Sequence, residues 1–278
     1  MYRAVVTDLD GTVVRPDGTV SDATMDAAIR LARTGVPLIA ATGRTPAGVS
    51  TLDALLPHLA MAVCCGGSVG WTPSTGQVHW LETLPPDSVG QLVGFVTGHL
   101  PGAGIAGHDG EQWRMTREYA ELRGSTRRGR AVVVSAAELA RHPACSVSVC
   151  HRTLDSDELI TVLAGAGVEP APTLTYAMRS LVDICPAGVD KSSGVRRALA
   201  AFGIAPQEAV AFGDMPNDLA MFAVCGHPVA VGNAHPDVRA AAAAIAACIH
   251  DDGFARTLRE LRLIEVPELA AAACACAQ

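Results

Sequence analysis

Aromatic residues are scarce in this 278-residue chain, at 4%. The core must therefore be packed from small aliphatic side chains, chiefly alanine, which supply most of a 49% hydrophobic content. No apolar run of about 18 residues lacks polar breaks, so no membrane-spanning helix is indicated. The chain enters a strand-like segment at once, which leaves no room for a secretory leader, and cytoplasmic residence is the default expectation. Excess positive charge is missing too. A formal net charge of -7 excludes general affinity for nucleic acid. The exception, Arg127-Arg128-Gly129-Arg130, has no interleaved stacking aromatics. It reads equally as a solvated loop or as an electrostatic lure for a phosphorylated substrate.

Cysteine is present, but the CxxC pair of a zinc site is not. Seven of the nine cysteines lie within or beside apolar runs, and Cys274 and Cys276 lie in the tail. An odd count in a reducing compartment favours free, buried thiols over disulfides. Cys274-Ala275-Cys276 offers two thiols to a metal, but reads as an unstructured tail. No internal repeat occurs.

The most informative segment is Val5-Val6-Thr7-Asp8-Leu9-Asp10-Gly11-Thr12. An apolar run reads as a buried strand, and two carboxylates stand where it ends in a glycine turn. Unit charges about 4 Å apart repel by roughly 4 kcal/mol at an effective dielectric near 20. A cation must share that site, unless Asp10-Gly11 is only a turn pair. Val36-Pro37-Leu38-Ile39-Ala40-Ala41-Thr42-Gly43-Arg44 is a second apolar run, followed by the N-cap signal Thr45-Pro46. Its hydroxyl and backbone N–H groups suit an anionic oxygen.

Asp183-Ile184-Cys185-Pro186-Ala187-Gly188-Val189-Asp190-Lys191 leads into a periodic helix (Val195, Leu199, Phe202) closed by Gly203. Lys191 stands near that helix start, where the macrodipole disfavours a cation; an anionic partner explains it, as does simple solvation. It is no P-loop, since no glycine immediately precedes the lysine and the GxxxxGK spacing is missing. Gly213-Asp214-Met215-Pro216-Asn217-Asp218 follows a further strand, Ala209–Phe212. Asp214 and Asp218 are four apart across a strand-to-helix turn, so both can face one point above the sheet.

Strand and helix alternate through the outer segments: a helix from Ser21 to Gly35, a strand at 36–41, a helix from Pro46 to about Leu56, and a strand around 61–65. After residue 181 come the Lys191 helix, the strand to Phe212, the Asp218 helix and a strand at 229–231. This pattern predicts an α/β fold with a doubly wound parallel sheet. Ligands of such sheets bind beyond the carboxyl ends of the strands, which draws Asp8, Asp10, Thr42 and Asp214 into one crevice. Residues 83–180 read instead as an inserted α+β domain, with short β-rich runs (131–134, 146–151) and a helix after Asp155. His99, His108, Trp113, Arg114 and Tyr119 are candidates for its mouth.

The ordered set Asp8-Leu9-Asp10-Gly11-Thr12, Thr42-Gly43-Arg44, Lys191 and Gly213–Asp218 resembles the motifs of the haloacid dehalogenase-like superfamily. The long insertion, Pro228–Pro236, the alanine-rich helix after it and His250-Asp251-Asp252-Gly253 resemble its Cof-type sugar-phosphatase branch. The resemblance implies a catalytic core of residues 1–82 and 181–278, and a substrate-specificity cap of 83–180. It implies a Mg²⁺-dependent phosphatase of small phosphorylated metabolites, sugar phosphates first, with flavin mononucleotide or pyridoxal phosphate as further options. Asp8 is then the nucleophile that forms an aspartyl-phosphate, and Asp10 the general acid and base. Asp8, Asp214, Asp218 and the Asp10 carbonyl hold the metal. Thr42, Gly43, Lys191, Asn217 and the backbone of Leu9 and Gly11 bind phosphate, with Arg44 as a substrate contact. No nucleic-acid or membrane partner is implied.

One departure stands out: the family's usual Asn-Gly after the third strand is Gly66-Gly67 here. The turn survives, because glycine accepts positive φ; the amide donor does not. Asp10 favours a phosphatase over a dehalogenase, which has no alkoxide to expel, and over P-type ATPases, which carry threonine there. A phosphosugar mutase uses the same aspartate pair and is the enzymatic alternative. A non-catalytic phosphometabolite sensor is the other, although a pure binder would not require Asp10.

Overall fold

The computed structural model describes residues 2–123 and 130–265. The strands, in chain order, begin with β1 (Ala4–Thr7), β2 (Leu38–Ala41), β3 (Met61–Cys64), β4 (Val69–Thr72) and β5 (Gln77–Leu81). Next come β6 (Gly104–His108), β7 (Gln112–Met115), β8 (Arg130–Val133), β9 (Ser146–Cys150), β10 (Thr173–Met178) and β11 (Leu181–Cys185). The chain closes with β12 (Ala209–Gly213), β13 (His227–Ala230) and β14 (Ala244–Ile245). One sheet has the order β14-β13-β12-β1-β2-β3-β4-β5 and the other β10-β11-β9-β6-β7-β8.

From β14 to β3 the first sheet is parallel, and β4 and β5 add an antiparallel hairpin at its edge. Its central strands are buried on both faces, as crossover helices require. Val5, Leu38, Val210 and Phe212 pack one face with the helices Asp22–Thr34 and Gly253–Glu260. Val6, Ile39, Val63 and Ala211 pack the other with the helix Lys191–Ala201. Few aromatics are needed; Phe212 meets Phe254 edge-on at 4.9 Å between ring centroids. Elsewhere backbones come close: a Cβ on Gly194 would stand 2.4 Å from Val63 Cγ1 and 3.0 Å from Gly67 Cα.

The start signals behave as read. Ser21 caps its helix by accepting from the Thr24 amide at 3.2 Å, and Gly35 ends it at φ 78°. Thr45 caps the next helix at Gly48 N. That helix, expected to reach about Leu56, stops at Val49. The Ser50 and Thr51 hydroxyls bond back to the carbonyls of Pro46 and Gly48, a competition that loosens helical turns. The alanine-rich segment after Pro236 is likewise helical only to Ala241, because Ala244–Ile245 pairs with β13.

The second sheet contains β11, which hydrogen-bonds to β9 and β10. The sequence boundary at 181 is thus corrected: residues 181–185 run with the inserted sheet, and the chain rejoins the first sheet's layer at the Lys191 helix. We place the division between a core and an inserted domain at about 83 and 186. Among the described residues no helix is long and apolar enough to cross a membrane.

Gly194→Ala tests the close approach of helix and sheet. Alanine gains up to about 1 kcal/mol of helix propensity, but overpacking costs about 1–3 kcal/mol. Net destabilisation, read as a lower denaturation midpoint with unchanged m-value, is expected.

Candidate active site

Parallel pairing of β12, β1 and β2 sets Thr7 beside Phe212 and Ala40, so the residues that follow these strands emerge at one edge. Asp8 and Thr42 follow β1 and β2, and Asp214 follows β12. The Asp8 amide continues the ladder to the Phe212 carbonyl at 2.9 Å. Lys191 arrives from the first turn of its helix, which Asp190 caps through the Ser193 amide at 2.8 Å. Its Nζ lies 2.6 Å from Asp8 Oδ1 and 2.6 Å from Asp218 Oδ1. This lysine is not a solvated surface side chain: it is 2% exposed, and Asp218 is fully buried.

The other Asp218 oxygen accepts the amides of Asp214 and Met215 at 2.9 and 3.0 Å. It thereby folds the turn that presents Asp214. The Thr12 hydroxyl donates to Asp214 Oδ1 at 2.8 Å. Glycine is obligatory at position 11, where φ is +88° and a Cβ would stand 2.3 Å from Asp214 Oδ2. Asn233 ties down the same turn, donating to the Gly11 carbonyl at 2.8 Å and accepting from the Ile249 amide at 2.9 Å. Sequence reasoning missed Thr12 and Asn233 as parts of the site, although both lie inside segments it had marked.

Three buried carboxylates face one buried ammonium. Burial pushes the Asp8 carboxyl well above the usual range, against the pull of Lys191. Burial, helped by the Asp218 charge, pushes Asp214 up to about 6. Burial alone would lower Lys191, but the charges of Asp218 and Asp8 overcome it and raise it. Oxygens of Asp8, Asp214 and Asp218 lie within 4.8 Å of one another. A hard, oxygen-seeking divalent cation fits this set, whose negative charge Lys191 only partly cancels.

Above this floor opens a crevice of about 260 Å³ between the two sheets. Asp8, Asp10, Thr42, Gly43 and Asn217 line its lower side. Asn217 brings a buried side-chain oxygen without a partner among the described residues. Trp113, Tyr119, Ser148 and Asp183 line the roof. Burial pushes the Asp183 carboxyl up to about 6, opposed by the Ser148 hydroxyl and the Arg123 charge. Neither Ser148 nor Asp183, which opens a segment marked in the sequence, is named there as a site residue, since nothing in a strand pattern distinguishes an inward polar residue facing a crevice.

Arg44, expected against substrate, lines the crevice; there it forms a bidentate pair with Asp10 at 2.7 and 2.6 Å and donates to the Gly48 carbonyl at 3.1 Å. Other candidates named from the sequence are engaged elsewhere. The Gly11 amide, expected to meet phosphate, is turned to the Val14 carbonyl at 2.9 Å; among the described residues the Leu9 amide has no such partner. Of the expected mouth residues only Trp113 and Tyr119 line the crevice. His99 stacks on Phe95 at 4.3 Å, Arg114 pairs with Asp109, and His108 is buried beside Cys145. The stretch Arg127-Arg128-Gly129 and the tail cysteines lie outside the described residues. The remaining seven cysteines are free, six of them buried.

Lys191→Met leaves Asp8 and Asp218 without their cation, at an expected loss of about 3–5 kcal/mol of stability. Added Mg²⁺ should restore part of it. A carboxyl raised from 3.8 to about 6 in the folded state binds a proton on folding. Without metal, Asp214's share of stability therefore falls as pH rises through that window. Mg²⁺ must displace the same proton, so its stabilisation of the wild type should be larger at pH 7 than at pH 5 in a thermal-shift titration.

A family model for haloacid dehalogenase-like hydrolases matches residues 5–258. A phosphoglycolate phosphatase of Methanothrix thermoacetophila is 40% identical over 75 residues, 27% of this chain and 34% of that protein's length. The pyridoxal phosphate phosphatase of Escherichia coli is 28% identical over 86% of this chain and 91% of its own. A solved haloacid dehalogenase subclass IIB sugar phosphatase superposes with a TM-score of 0.83 at 21% identity, covering 94% of this chain and all of that one. The match runs from the first strand to the last helix and takes in every residue of the buried charge cluster: the chain belongs to the haloacid dehalogenase-like hydrolase family.

Proposed function

We propose that this hydrolase is a Mg²⁺-dependent phosphatase of small phosphorylated metabolites, with sugar phosphates as the preferred class and an aspartyl-phosphate as intermediate. The observation that carries the reading is Asp8 itself. It lies on the crevice floor with one oxygen held by Lys191 at 2.6 Å, among acids suited to a divalent cation. Phosphate monoesters hydrolyse so slowly in water that enzymatic accelerations reach roughly 10²¹-fold. The enzyme's contribution is chiefly positioning and charge neutralisation.

Asp8, Asp214 and Asp218, with the Asp10 main-chain carbonyl, would hold the cation. When bound, Mg²⁺ neutralises the mutual repulsion of carboxylate and phosphate. Lys191 orients Asp8 so that its other oxygen faces the phosphorus, and Asp8 attacks as nucleophile. Thr42, buried at the crevice edge, donates its hydroxyl to a phosphoryl oxygen, joined by Lys191, the Leu9 amide and Asn217. Asp10 stands at the rim, half exposed and anchored by Arg44. Swinging off that guanidinium and taking up a proton from solvent, it passes that proton to the leaving alkoxide and later takes one from the attacking water.

Names of relatives support the substrate class: a pyridoxal phosphate phosphatase and a phosphoglycolate phosphatase among the sequences, a sugar phosphatase among the structures. The roof adds polar groups above an apolar wall, which suits a leaving group with hydroxyls.

Asp8→Asn should abolish Mg²⁺-dependent release of p-nitrophenol from its phosphate ester, and substantial residual turnover overturns the assignment. Asp10→Asn should lower kcat on alkyl phosphates by roughly 10²–10⁴-fold. The loss should be smaller on p-nitrophenyl phosphate, whose leaving group needs no proton. Equal losses on both substrates would remove Asp10 from the acid's role.

A further inference from the structure

A second cluster of ligating side chains lies outside the crevice. Cys65, in the turn after β3, meets His108 at the end of β6 and Cys145 just before β9, and all three are buried. Their ligand atoms lie within 4.8 Å of one another. The residues are far apart in sequence and come from both sheets, so no local spacing announces them. We propose that Cys65, His108 and Cys145 form a zinc site that clips the inserted sheet to the core.

Three observations carry this. Zinc–sulfur and zinc–nitrogen bonds of about 2.3 and 2.0–2.1 Å at tetrahedral angles put the two donor atoms roughly 3.5 Å apart. Cys145 Sγ and His108 Nδ1 are 3.5 Å apart. The Gly110 amide donates to that same Nδ1 at 3.1 Å, so Nδ1 is an unprotonated acceptor. That amide occupies its single lone pair, and a metal takes it by displacing the bond, with this half-buried turn giving the amide to water. Cys65 adopts φ +51°, a left-handed conformation that side-chain-bearing residues rarely take. The chain thus holds a thiol where glycine would sit more easily, as it does at Gly66 and Gly67.

On binding, the two thiols release their protons to solvent and two S–Zn bonds form. The imidazole donates its neutral lone pair, and the assembly of Zn²⁺ with two thiolates carries no net charge, which suits a buried site. A fourth position stays open. Because the ligands come from both sheets, the site completes itself only when they are packed together.

Cobalt is the probe, since thiolate–cobalt bonds give a near-ultraviolet charge-transfer band that carboxylates do not. The full-length protein carries C274S/C276S to remove the tail thiols, and is reduced, anaerobic and saturated with Mg²⁺. Titration should reach about one Co²⁺ per chain, and zinc should bleach the band. Cys145→Ser and His108→Gln should lose the band while Cys225→Ser keeps it, with circular dichroism confirming that each is folded. Should the first two fail to fold, zinc protection of Cys65 and Cys145 from alkylation in the parent protein, read by mass spectrometry under mild denaturant in which both thiols are labelled when zinc is absent, replaces them. No band in the folded parent, a band that survives Cys145→Ser, or labelling unaffected by zinc each overturns the proposal. None of these readouts depends on phosphatase activity, so its failure and that of the catalytic reading are separable.

Discussion

The buried ion pair of Lys191 with Asp8 and Asp218 is the constraint on which the site depends. An ammonium 2% exposed to solvent, between two carboxylates at 2.6 Å, is tolerable only because each charge has a partner and the remaining lone pairs are addressed. Asp218 commits its second oxygen to two backbone amides, and Thr12 occupies Asp214. The glycines at 11 and 213 let these acids come so close. Replacing either by a larger residue would strike the carboxylates before it altered any substrate contact. The geometry of the turns and the electrostatics of the floor are one problem with one solution.

The sequence disclosed the floor better than the roof. Asp8, Thr42, Lys191, Asp214 and Asp218 stand at strand-to-helix junctions. There, glycine, proline and capping signals mark where the backbone turns and parallel strand order fixes where it points. Roof residues such as Asp183 and Ser148 lie mid-strand in antiparallel pairs of the second sheet, where only three-dimensional pairing tells which face meets the crevice. Arg44 illustrates another limit. Its place near the site followed from the motif, but its engagement with Asp10 depended on side-chain reach across two loops, which spacing does not encode.

Segment boundaries failed for similar reasons. The helix beginning at Pro46 ended early because hydroxyls at Ser50 and Thr51 returned to the backbone. Alanine at 244 joined a sheet edge despite its helical propensity. Residues 181–185 were assigned to the core on the strength of the motif they precede, yet their hydrogen bonds run to the inserted sheet. In the last two cases tertiary pairing outweighed local preference by an amount too small to read from composition.

That last displacement has a mechanical side. Asp183 in the roof and Lys191 in the floor sit on one short crossing stretch of chain, joined through Pro186 and the capped start at Asp190. A displacement of the roof pulls on a tether whose far end is anchored in the ammonium that pairs with Asp8 and Asp218. Molecular fit at one end and charge alignment at the other are therefore strung on a single cord.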